Sequence, residues 1–190
     1  MSRKFLCCRT IPLAFAALLF AFASIQAHAQ CKPPAKPAVP LSPAAQASVT
    51  LNGKTVTIDY CAPSLRGRKV GDQIAPYDKV WRTGANSATT LHTDSSLRIR
   101  DKVIPAGTYT LYTLPSDRGW TLIVNKQTGQ WGTVYDQSKD LFRIPMLDGV
   151  VPSSPVEVFK IDFQHTSGNK TELHLTWGST NVDVPVTAID

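Results

Sequence analysis

Asn52-Gly53 separates two runs that alternate with a period of two, and no later window sustains a helical spacing. Both central residues of a two-residue hairpin turn need positive φ, which Asn and Gly tolerate best. After the turn, Val56, Ile58 and Tyr60 alternate with Thr55, Thr57 and Asp59, which predicts a strand with one buried and one wet face. The same grammar continues along the chain. Strands are predicted over Ala47–Leu51, Lys54–Tyr60, Ala88–Thr93, Ser96–Ile104, Gly107–Leu114, Gly119–Asn125, Pro155–Phe163, Thr171–Trp177 and Asn181–Thr187. Connectors such as Ser116-Asp117-Arg118-Gly119 and Ser167-Gly168-Asn169-Lys170 supply turn chemistry. Within Pro155–Phe163 the apolar residues change parity between Val158 and Phe159, which predicts a bulge. About nine short strands joined by tight turns predict an all-β fold, an antiparallel β-sandwich in preference to a closed barrel.

The N-terminus has a different pattern. Arg3, Lys4 and Arg9 precede an uncharged apolar run from Ile11 to Ile25, and Ala27-His28-Ala29 follows. This layout predicts a signal peptide over residues 1–29, cleaved after Ala29. The run is shorter than the roughly twenty residues that span a bilayer, so no membrane segment is expected after processing and the product is expected to be periplasmic or secreted. Cys31 raises a lipoprotein alternative, but His28 and Gln30 stand where a lipobox wants an aliphatic and a small residue. Pro33, Pro34, Pro37, Pro40 and Pro43 make residues 30–46 a semi-rigid polyproline II spacer, with the folded domain over 47–190.

The formal charge of +6 overstates how basic the mature chain is, because the leader carries three Lys/Arg and no Asp or Glu. No stretch interleaves Lys/Arg with aromatic residues, so nucleic acid is not an expected partner. Cys31 and Cys61 are the cysteines that remain once the leader is gone. In an oxidising compartment they are candidates for a bridge worth roughly 3–4 kcal/mol. The other reading is a buried Cys61 and a thiol on the linker; spacing leaves both open.

Ser64–Asn86 breaks the strand pattern. It holds Arg66, Arg68, Lys69, Lys79 and Arg82, punctuated by Gly67, Gly71, Pro76 and Gly84. Long irregular segments inside compact β domains are frequently functional. The segment Trp81–Thr89, together with Tyr60-Cys61-Ala62-Pro63-Ser64, Gly67-Arg68, Pro105-Ala106-Gly107-Thr108-Tyr109 and Trp131-Gly132, resembles a family of secreted bacterial proteins known as a domain of unknown function, numbered twenty-nine eleven. The resemblance runs from about Pro43 to Val186 and implies one extracytoplasmic β domain; it carries no activity with it.

Candidate binding residues are Arg82, Asn86, Trp81, Arg68 and Trp131. An Arg fork takes a carboxylate or phosphate through parallel hydrogen bonds, Asn86 adds a donor and an acceptor, and Trp81 offers an apolar wall. The opposing reading has Arg82 paired with a carboxylate such as Asp59, or capping backbone carbonyls, and so serving stability. Trp131 reads either as an exposed stacking platform or as a lid folded over the core, while Trp177 closes an alternating Leu173, Leu175, Trp177 core face. His92, His165 and His174 show no metal spacing with a second ligand; His92 and His174 sit mid-strand, where they read as polar strand-face histidines that could meet if their strands paired. No nucleophile elbow and no carboxylate pair is present. The sequence therefore points to no catalytic residue, metal or cofactor. It favours a non-catalytic module for a small molecule, glycan or envelope component, with a hydrolase-like enzyme using an Arg/Asn/His site as the alternative.

Overall fold

The computed structural model describes residues 41–189. The expected signal peptide, Cys31 and most of the proline-rich spacer lie outside the described residues. Two antiparallel sheets pack face to face as a sandwich. The first has the order β1-β2-β3-β6-β7-β8, from β1 (Ala44–Leu51), β2 (Lys54–Cys61), β3 (Thr89–Thr93), β6 (Gly107–Leu114), β7 (Thr121–Asn125) and β8 (Asp140–Pro145). The second has the order β10-β11-β12-β4-β5, from β4 (Leu97–Ile99), β5 (Lys102–Ile104), β10 (Val156–Ser167), β11 (Lys170–Gly178) and β12 (Thr180–Ala188); the two-residue β9 (Leu147–Asp148) also pairs with β12.

The Asn52-Gly53 turn closes β1 on β2 with Leu51 opposite Lys54, and its two residues adopt φ of 48° and 76°. The strand begins at Ala44, three residues before the expected boundary, because the backbone N–H of Ala62 reaches the Pro43 carbonyl at 2.8 Å and extends the pairing. Inward positions fill the core: Val56 and Ile58 from β2, Leu122 and Val124 from β7, Leu173, Leu175 and Trp177 from β11, and Val182, Val184 and Val186 from β12 are all buried. Each such side chain contributes on the order of 1.5–3 kcal/mol relative to exposure. The expected bulge is present as a register shift between Val156 and Lys160.

Two expectations need correction. Ser96–Ile104 is a β4–β5 hairpin rather than one strand, because Arg100 takes a left-handed φ of 52° and turns the chain without Gly or Pro. β8 and β9 were not expected at all; β8 is an edge strand with Arg143 and Pro145 in it, so its alternation is weak.

Both faces of the first sheet are covered near β6 and β7. Tyr112 and Ile123 point away from the sandwich yet are buried, because residues 126–139 fold over them. Gln130 Nε2 donates to Tyr112 Oη (3.0 Å) and Thr110 Oγ1 (3.2 Å), Tyr112 Oη donates to the Val134 carbonyl, and the Tyr135 ring meets Tyr112 edge-on at 4.8 Å. This covering loop brings Trp131 and Gly132 to the irregular segment 64–86.

Candidate functional site: an arginine-lined cleft

Segment 64–86 runs across one end of the sandwich and is stitched to both sheets. Leu65 donates to the Glu157 carbonyl of β10, and Trp81 exchanges backbone hydrogen bonds with Thr113 of β6 at 2.7 and 2.9 Å. The segment holds Arg66, Ala75, Asp78, Thr83 and Asn86 at positive φ, out of eight such non-glycine residues among those described. For a β-branched residue that conformation is strained. Thr83 (φ 53°) is held there by full burial, by a bond from Thr89 Oγ1 to its carbonyl (2.8 Å) and by a 3.3 Å contact of its own hydroxyl with Thr113.

The path encloses a cleft of about 480 Å³. Arg68, Trp81, Arg82 and Asn86 all line it, so four of the five residues expected from sequence share one site. Arg66, Ser64 and Trp177 line it too. No Asp or Glu is in the lining among the described residues, so three guanidinium groups face it without an acid. Arg66 Nη2 donates to the Leu41 carbonyl, and Arg68 donates from Nε and Nη2 to the carbonyls of Leu65 and Ser64.

Arg82 is different. Its expected partner Asp59 instead accepts from Gln46 Nε2 at 2.7 Å, and no carboxylate pairs with Arg82 among the described residues. Its one hydrogen bond runs from Nε to the Gly84 carbonyl at 3.4 Å, at the long end of the useful range. Burial pulls its pKa below the ordinary guanidinium value. Of the two forms of the stability reading, the ion pair is not seen among the described residues and the carbonyl cap is present only as this long bond; the cation is partly desolvated, and its outer nitrogens make no hydrogen bond among the described residues. The Asn86 carboxamide likewise has no hydrogen-bond partner among the described residues, while its backbone carbonyl accepts from Gly132 (2.9 Å).

Trp81 forms one wall and continues into the core. It stacks on Trp177 with centroids 5.4 Å apart and planes 17° apart, and meets Trp120 and Phe159 edge-on. Trp131 does not line the cleft. It is 50% exposed, so it is no lid over the core, and it pairs through its backbone with Ser87 beside the cleft. A second depression, lined by Arg100, Asp101, Ile144, Pro145 and Pro185, is shallow, and Arg100 already donates to the Pro145 carbonyl there.

The histidines do not join the cleft. His92 lies exposed on β3, bonded to Thr108 Oγ1 (3.0 Å) and Asp94 Oδ1 (3.2 Å), and His174 lies on β11 of the other sheet. The two strands do not pair, so the condition for these rings to meet is not satisfied, and among the described residues no histidine lines the Arg82 cleft. Spacing in the sequence shows no metal-ligand set among the histidines, but the fold brings a group together. His165, Glu172 and His174 bring one ligand atom each to within 4.8 Å of one another.

A family model described as a protein of unknown function, DUF2911, matches residues 42–186. The chain belongs to the DUF2911 family. The match starts two residues before β1 and ends within β12, so the sandwich and the cleft-forming segment are the DUF2911 domain. No curated protein and no solved structure matches the chain. No helix among the described residues is long and apolar enough to cross a membrane.

Proposed function

We propose that this DUF2911 protein is an exported, non-catalytic binding module that holds a small anion, such as a carboxylate, a phosphate or an acidic sugar, in the Arg82 cleft. The observation that carries the reading is the partly desolvated Arg82 guanidinium with no acid beside it. The outer nitrogens of this half-buried cation are free to take an anionic ligand, which would supply the counter-charge. Asn86 would add a neutral hydrogen bond and Trp81 a flat apolar surface suited to a ring. Export is supported by the basic, apolar and small-residue order before Gln30. The absence of a histidine from the cleft lining supports binding over hydrolysis.

The test is calorimetric titration of protein recovered from the periplasm, starting at Gln30, with inorganic phosphate, citrate and glucuronate. At least one should bind, and Arg82→Ala should lose roughly tenfold or more in affinity with a nearly unchanged melting temperature. Arg82→Lys should recover part of the binding, since an ammonium lacks the planar fork. Binding that survives Arg82→Ala, or an Arg82→Ala protein destabilised by about 2–4 kcal/mol as for a broken internal pair, would sink the proposal. A periplasmic chain that retains Arg3 would remove the export part.

A further inference from the structure

The hairpin β10–β11 carries a second site on the opposite face from the core. Leu173 and Leu175 point inward, so Glu172 and His174 point outward together on one strand. Across the hairpin the register breaks between Gln164 and Ser167, and His165 takes a left-handed φ of 51°. That irregularity turns the His165 ring over the same face, with its centroid 6.0 Å from that of His174. His165 Nδ1 lies 2.6 Å and His174 Nε2 lies 3.1 Å from the same oxygen, Glu172 Oε2.

Asn181 orients the His174 ring. Asn181 Nδ2 donates to the Val150 carbonyl at 2.9 Å, which sets the amide so that Oδ1 faces His174 Nδ1 at 3.3 Å and also accepts from Thr176 Oγ1. Both ring nitrogens face acceptor oxygens, Nδ1 the Asn181 amide and Nε2 the Glu172 carboxylate; a metal ion that displaces the proton between Nε2 and Glu172 leaves the Nδ1 proton on Asn181. This is the arrangement by which metal-binding imidazoles are oriented through their other nitrogen.

The surroundings are acidic and under-satisfied. Asp183, directly across from His174 on β12, is buried and makes no side-chain hydrogen bond among the described residues. Asp162, across from His174 on β10, keeps a buried Oδ1 without a partner. Lys160 is tied to this face through Asp162 Oδ2, and Lys170 and Arg98 lie farther along the same face.

We propose that His165 Nδ1, Glu172 Oε2 and His174 Nε2 bind one divalent transition-metal ion, with Asn181 as the positioning residue for His174. Two imidazoles and one carboxylate suit zinc-like ions rather than calcium or magnesium, which prefer all-oxygen shells. Ligand atoms about 2.0–2.2 Å from a tetrahedral metal sit a little over 3 Å apart, so the ion needs the 2.6 Å contact to open and the two histidine nitrogens, which lie within 4.8 Å of each other, to take up the same spacing. Three protein ligands leave one position for water or an external ligand. The site is distinct from the Arg82 cleft.

The experiment uses untagged mature protein stripped with a chelator, titrated with Co2+ and then Zn2+. One equivalent of Co2+ should give the visible absorption of a four-coordinate N/O site, and Zn2+ should bleach it. His165→Ala, which removes a side chain that is 72% exposed and should fold as wild type, should weaken Zn2+ binding roughly tenfold or more. Glu172→Gln should do likewise, Asn181→Ala should weaken binding by a smaller factor, and His92→Ala should leave it unchanged. Zinc that binds equally well to the His165→Ala and Glu172→Gln proteins, or no saturable binding in the micromolar range, would overturn the site and leave a cluster of hydrogen-bonded side chains.

Discussion

Arg82 owes its position to a residue with no side chain. A Cβ placed on Gly132 would lie 2.5 Å from Arg82 Cδ and 2.7 Å from the backbone oxygen of Asn86. The first contact is with a stem whose Cβ also lies 3.1 Å away, and the second is with backbone tied to Gly132 by a hydrogen bond. Gly132→Ala should therefore push the covering loop off the segment and cost about 1–3 kcal/mol, as over-packing usually does. It should also weaken anion binding, because the Arg82 stem is the other wall of that contact. Urea unfolding and calorimetry on the same variant check both. A Gly132→Ala protein with wild-type stability would mean that the loop yields freely and does not hold Arg82. Asn86 and Arg82 stood out in the sequence as polar groups flanking Gly84, but nothing there showed that Gly132, nearly fifty residues on, closes against them.

The strands show where the amphipathic pattern is a sufficient guide. Gly107–Leu114 was expected with the bounds it has, and β2, β11 and β12 differ by a residue or so, because each alternates over many positions and buries one face. β8 escaped notice because it is an edge strand whose apolar Leu141 and Phe142 are only half-buried. Its anchor is polar instead: Tyr135 Oη donates to Asp140 Oδ2 at 2.5 Å, Arg143 Nε donates to the same oxygen at 3.0 Å, and Asn125 Nδ2 donates to Asp140 Oδ1. Burial, and then the bond to Asp140, push the Tyr135 phenol up to about 12. The folded state thus favours the neutral phenol. Its contribution is fully present below the unfolded value of about 10 and is lost as pH rises from about 10 to about 12. Urea midpoints of wild type should fall across that window, and Tyr135→Phe should show a smaller fall from a lower starting stability. Parallel pH profiles for the two proteins would show that this network does not tie β8 to its loop.

The two sites lie at different places on one sandwich, and they differ in how much of each the sequence disclosed. Arg68, Trp81, Arg82 and Asn86 fall within one irregular stretch, so their shared cleft was legible from the break in strand pattern. The histidine cluster was not, since His165 joins Glu172 and His174 only once the Ser167–Lys170 turn and its register shift are in place. Trp177 is the less visible half of the cleft: it belongs to the core of the second sheet, yet it lines the site and stacks on Trp81. The indole pair is therefore the link between the interior and the binding surface. If the stack couples them, Trp177→Ala should cost about 3–5 kcal/mol, and Trp81→Ala less because Trp81 is partly exposed. The double variant should be less destabilised than the sum by about 0.5–1.5 kcal/mol, the range for aromatic pairs in contact. Anion affinity should fall in both single variants, although Trp177 sits 2% exposed and offers a ligand little surface of its own. Strict additivity in unfolding, with binding lost only in Trp81→Ala, would show instead that the cleft wall and the core behave as separate units and that Trp81 acts on the ligand alone.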